Sequence, residues 1–71
     1  MYEKIVKLLD DGIALSITMS SGQSFIASGY EKMVTEKIKS PVVAMHIADG
    51  ESILFVNTDF IESFRLMTDN R

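Results

Sequence analysis

The stretch Pro41 to Met67, PVVAMHIADGESILFVNTDFIESFRLM, decides how this chain is read. Apolar runs of strand length are interrupted at Asp49-Gly50 and again at Asn57-Thr58-Asp59. β-branched and aromatic residues fit a pleated, half-buried surface. Asp-Gly between two such runs is a strong hairpin signal, because both residues tolerate the positive φ of a two-residue turn. The stretch therefore predicts consecutive strands over about 42–48, 52–56 and 61–67, joined by tight turns.

Upstream, Ile13, Leu15, Ile17 and Met19 alternate without a slip with Ala14, Ser16, Thr18 and Ser20. That is the period of a strand with one buried and one wet face. Ser21-Gly22 supplies a turn, and Gln23 to Tyr30 reads as the returning strand, with Gly29 expected at a bend or bulge. These strands are expected over about 13–20 and 23–30. Before them, Tyr2, Ile5, Val6, Leu8 and Leu9 recur at helical spacing while Glu3, Lys4, Lys7 and Asp10 fall mainly on the other side, which predicts an amphipathic helix over about 2–11. Asp10 and Asp11 stand at the unfavourable end of its dipole. Tyr30 to Ser40, YEKMVTEKIKS, mixes helix formers with Val34, Thr35 and Ile38 and holds no alternation. It is expected to be the end of strand two running into a polar, lysine-bearing loop closed by Pro41, with a short helix as the alternative.

At 71 residues, 46% of them hydrophobic, the chain is one small domain without cysteine or tryptophan. A core of this size supplies only about 3–5 kcal/mol unless something reinforces it. Disulfides are ruled out and no zinc-type ligand set is present, so unusually good packing or self-association must add buried area. Strands three to five point to self-association. Val42 with Val43, Leu54 with Phe55 and Phe60 with Ile61 place apolar residues on both faces, which a domain this small can bury only against another chain. The formal charge of −3 means that any nucleic-acid binding must come from a local patch. The N-terminus has no signal-peptide pattern and no segment has the roughly 18 apolar residues of a membrane span, so a cytoplasmic protein without membrane contact is expected.

A helix followed by five short strands with hairpin-length links is the plan of a small, strongly bent antiparallel barrel. The same order is that of the Sm-like proteins, the ring-forming RNA-binding family with an SH3-type barrel. Val56-Asn57-Thr58-Asp59-Phe60-Ile61-Glu62-Ser63-Phe64 resembles that family's second motif, in which a hydrophobic residue, Arg, Gly, two variable residues and Ile cross a very tight turn between strands four and five. Val56, Ile61 and Phe64 fall on its hydrophobic positions, whereas Asn57 and Thr58 replace the Arg-Gly pair that helps form the base pocket. In the first motif Gly22 and Phe25 fit, Ala27 replaces a glycine, and Tyr30-Glu31-Lys32-Met33-Val34 echoes a longer aromatic-Asp loop. The resemblance implies a homo-oligomeric ring in which strand four of one subunit pairs with strand five of the next.

Lys32, Lys37 and Lys39 with Tyr30 form the one cationic cluster that includes an aromatic. Around a ring it becomes a circle of charge on which Tyr30 can stack a base of single-stranded RNA or DNA. The plainer reading is a solvated loop whose lysines offset Glu31 and Glu36. Asn57 and Thr58 can hydrogen-bond a base edge, or serve the turn by bonding nearby backbone. His46, close in sequence to Asp49 and Glu51, is a conceivable metal or acid-base residue, although a lone strand histidine is more often packed or at an interface. No nucleophile-base set, phosphate loop or useful carboxylate pair is present, which argues against an enzyme and against a cofactor or metal. The expected function is a ring that binds single-stranded RNA or DNA through the Tyr30–Lys39 loop and the Asn57-Thr58 turn. The alternative is a structural or protein-interaction ring without nucleic acid.

Overall fold

The computed structural model describes residues 1–50 and 52–67. In chain order its elements are helix α1 (Tyr2–Asp10), strands β1 (Ala14–Met19) and β2 (Ser24–Tyr30), helix α2 (Lys32–Ile38), strands β3 (Val42–Ile47) and β4 (Ile53–Asn57), a 3-10 turn (Thr58–Phe60) and strand β5 (Ile61–Met67). The protein is mainly β, with an N-terminal helix and one five-stranded antiparallel sheet in the order β4-β3-β2-β1-β5.

The two edge strands are consecutive in sequence and joined only by the three residues Thr58–Phe60. In a flat sheet, five strands spaced about 4.8 Å apart would separate those edges by about 19 Å. A three-residue 3-10 turn rises only about 6 Å. The sheet therefore curls until its edges approach, yet β4 pairs with β3 and β5 with β1 and neither pairs with the other, so it is not closed. Two irregularities assist the bending. The register shifts between Ala27 and Gly29 against β3, where Gly29 was expected to mark a bend, and between Thr18 and Met19 against β5.

The concave face buries Leu15 and Ile17 of β1, Ala27 of β2, Val43 and Met45 of β3, Val56 of β4 and Ile61 of β5, covered by Ile5 and Leu9 of α1. Helix α1 stops at Gly12, whose φ of 84° is left-handed. There the Gly12 N–H donates to the Leu9 carbonyl and the Ile13 N–H to that of Leu8, satisfying acceptors that a helix end otherwise leaves open. No helix among the described residues is long and apolar enough to cross a membrane.

Two expectations are corrected. The β3–β4 connection is not a two-residue turn with positive φ, since neither Asp49 nor Gly50 adopts one. The hairpin itself forms, β3 pairing antiparallel with β4 until the Ile47 N–H donates to the Ser52 carbonyl, while the Ala48 N–H, on the other side of the strand, donates to the Ile26 carbonyl of β2 at 2.9 Å. The second correction concerns the polar loop expected after strand two, where Lys32–Ile38 forms a helix instead. β2 stops at Tyr30, opposite Met45, and leaves the backbone of Ala44 open on that side. The Glu31 N–H donates to the Ala44 carbonyl at 2.8 Å, and the Thr35 hydroxyl accepts the Ala44 N–H at 3.0 Å. Helix α2 thus covers a strand edge, with the buried Thr35 hydroxyl standing in for a strand carbonyl. Its remaining positions, among them Lys32, Met33, Glu36 and Lys37, suit a helix surface.

Thr35→Val keeps the shape and removes the acceptor, leaving a buried N–H unpaired. It should lower unfolding stability in urea by about 1–3 kcal/mol, whereas Thr35→Ser should retain most of it. Equal stability of the valine variant would remove this role from Thr35.

Candidate nucleic-acid and assembly surfaces

Helix α2 carries Lys32, Lys37 and Lys39 into solvent, the last as its C-cap with a left-handed φ of 72°. Among the described residues none of the three takes part in an ion pair; the pairs are Lys7 of α1 with Asp11, the exposed residue that caps it, and His46 with Glu31. Between the lysines the helix exposes Met33, Val34 and Ile38, so its surface is apolar as well as cationic.

The other expected contact residues are held by the fold. The Tyr30 hydroxyl donates to Asp10 at the end of α1 at 2.9 Å, which explains how that carboxylate is accommodated at an unfavourable helix end. Burial, the hydrogen bond and the charge of Asp10, and the neighbouring Glu36 push the Tyr30 phenol up to about 12. Thr58 is buried, and both its hydroxyl and its N–H donate to the Pro41 carbonyl at 2.8 Å. Asn57 accepts the Asp59 N–H at 2.9 Å and so caps the 3-10 turn. The Thr58–Pro41 bonds bring the Asn57-Thr58 turn against the segment that follows Lys39, so those parts of the expected surface are contiguous.

Sequence spacing placed His46 with Asp49 and Glu51, and Glu51 lies outside the described residues. The partner of His46 is Glu31, the N-cap of α2, with Nε2 and Oε2 2.7 Å apart. This contact fastens the start of α2 to β3, and proximity in sequence gave no sign of it. Among the described residues no three metal-ligating side chains cluster. A shallow depression of about 440 Å³ lies over Ser16, Ser24, Phe25, Ile26, Ala48 and Asp49, away from every residue expected to bind.

The sheet edges are the second surface. Residues opposite one another on paired strands share a face. Phe55 lies opposite Ala44 and Ile53 opposite His46, both pointing away from the core, while Leu54 lies opposite the buried Met45 and points inward. Leu54 is nevertheless 41% exposed, and Leu66, opposite the buried Leu15, is 42% exposed, because the seam between the edges is open. Phe55 is 55% exposed, and at the corner Phe60 is 58% exposed between the exposed carboxylates of Asp59 and Glu62. Ala44 directs both backbone groups towards α2, so Phe55 opposite it directs its own N–H and C=O to the free edge of β4.

In a Tyr2→Phe background, absorbance titration should place the remaining phenol near 12, above the ordinary 10.0, and Asp10→Asn should lower it. The fold holds this proton more tightly than the unfolded chain does. The resulting stabilisation is present below pH 10 and is lost as pH rises through about 12. An ordinary midpoint would show that the Tyr30–Asp10 bond does not persist in solution.

No protein-family model, curated protein or solved structure matches this chain.

Proposed function

We propose that this protein is an assembly module of the Sm-like plan, whose copies join edge to edge, β4 of one against β5 of the next, into a closed ring. The observation that carries the reading is the pair of unpaired, apolar sheet edges. β4 offers open backbone groups at Phe55 flanked by Ile53, Leu54 and Phe55 side chains, and β5 offers Leu66 and Met67. A free edge of this kind templates pairing with another chain, and a closed ring uses every such edge. Antiparallel addition with the core-facing residues in phase would set Leu54 beside the inward side chains of β5, and the two half-exposed leucines would be buried.

A second reading has such a ring bind single-stranded RNA or DNA. The three exposed lysines of α2 and their closeness to the Asn57-Thr58 turn favour it. The internal bonds of Tyr30, Asn57 and Thr58 favour assembly instead, since those side chains already have partners.

Sedimentation should give a mass several times 7.9 kDa at micromolar concentration. Phe55→Asp, which puts a charge on the edge, should release folded monomers. A wild-type monomer would defeat the ring. Fluorescence anisotropy with oligo-U and oligo-A at two salt concentrations tests the second reading. Salt-sensitive binding that is abolished by replacing Lys32, Lys37 and Lys39 with Ala supports it, and binding unchanged by those replacements removes this surface.

A further inference from the structure

The charges of this chain are distributed unevenly over its surface. In a protein of net charge −3, three of the seven Lys and Arg residues fall within residues 32–39. They surround exposed Met33, Val34 and Ile38, and with Glu31 paired to His46 the one other exposed charge among them is the Glu36 carboxylate, which leaves the group net positive. The corner before β5 is the reverse, an exposed Phe60 between the carboxylates of Asp59 and Glu62. Among the described residues neither group is satisfied by an ion pair within the copy. One molecule therefore presents a basic apolar patch and an acidic apolar knob.

We propose that neighbouring copies recognise each other through these two features. Lys37 and Lys39 at the end of α2 in one copy meet Asp59 and Glu62 of the next, around the exposed ring of that copy's Phe60. The inference rests on the edge-to-edge reading and specifies what selects the partner. Antiparallel addition of β5 to β4 sets the first residues of β5, near Ile61, beside the last residues of β4, near Asn57. Asn57 lies opposite Val42 on β3, and Thr58 bonds Pro41, so that end of β4 is where α2 finishes at Ile38 and Lys39. The pairing that satisfies the backbone thus delivers the acidic knob to the basic patch.

The lysine stems can lie along the Phe60 ring while their ammonium groups reach the carboxylates. Opposite charges flanking a buried aromatic steer encounter, fix the register of the strands and penalise slipped pairings. A polynucleotide fits the same patch less well. The apolar centre formed by Met33, Val34 and Ile38 offers nothing to a phosphate chain, and Tyr30, the nearby aromatic, is held by Asp10.

Charge reversal tests the proposal. All four charged residues are exposed, so the variants should fold, and circular dichroism checks that they do. In sedimentation velocity, Lys37→Glu with Lys39→Glu should weaken association by at least about tenfold, as should Asp59→Lys with Glu62→Lys. The chain carrying all four reversals should assemble like the wild type, because every contact regains an opposite partner. Wild-type assembly should weaken in 1 M salt, where screening acts within about 3 Å. Folded Lys37→Glu/Lys39→Glu protein that assembles like the wild type would overturn the charge contact while leaving edge pairing intact. Failure of the fourfold variant to recover would also overturn it. Retained assembly with loss of oligo-U binding in the lysine variant would assign those lysines to nucleic acid instead. A monomeric wild type would overturn both the edge pairing and this contact.

Discussion

Three residues, Thr58 to Phe60, tie the opposite edges of the sheet together, and most of the architecture follows from that short link. A connection that cannot span a flat sheet forces the strands to curl, and curling gives the inward residues of β1 to β5 a common interior that α1 covers with Ile5 and Leu9. The same link explains the open seam. Edges brought close without pairing leave Leu54 and Leu66 pointing inward and still partly wet. Burying that seam would add apolar area at about 25 cal/mol per Å² to a domain whose own core is small.

A second economy of the fold is the use of side chains to finish backbone bonding. Thr35 replaces a strand carbonyl for Ala44, Thr58 doubles the bond to Pro41, and Asn57 caps the turn. No buried side-chain polar atom among the described residues is left without a partner. These commitments bear directly on function, because a side chain that completes the fold is costly to recruit for a ligand. What remains free at the surface is of another kind: the lysines and apolar residues of α2, the acidic corner at Phe60 and the two strand edges.

Much of this was legible in the sequence, for identifiable reasons. Leu15 and Ile17 are buried as their unbroken alternation requires, α1 ends within a residue of the expected boundary, and the apolar residues on both faces of β4 include two, Ile53 and Phe55, that point outward. Helix α2 was obscured because Thr35, a strand former by propensity, was chosen for its hydroxyl, and the need for that hydroxyl arises only where β2 stops beside Ala44. The hairpin marked by Asp49-Gly50 forms between β3 and β4, and only its turn departs from the expectation, with a Gly50 N–H to Ile47 carbonyl bond in place of residues at positive φ. The Glu31–His46 and Tyr30–Asp10 contacts join residues 15 and 20 positions apart, a distance over which periodicity and spacing carry no information.

The claim that copies join through the edge of β4 makes a residue-level demand on backbone protection. Leu54 and Val56 face β3 with their amides, whereas Phe55 faces the open edge, so in an isolated copy their amide exchange rates should differ sharply. Amide hydrogen exchange, followed residue by residue in the assembled protein, reads this directly. The account predicts that the Phe55 amide is protected to a similar degree as those of Leu54 and Val56, and that its protection falls on dilution as copies separate. Free exchange at Phe55, at every concentration and beside protected neighbours, would contradict it.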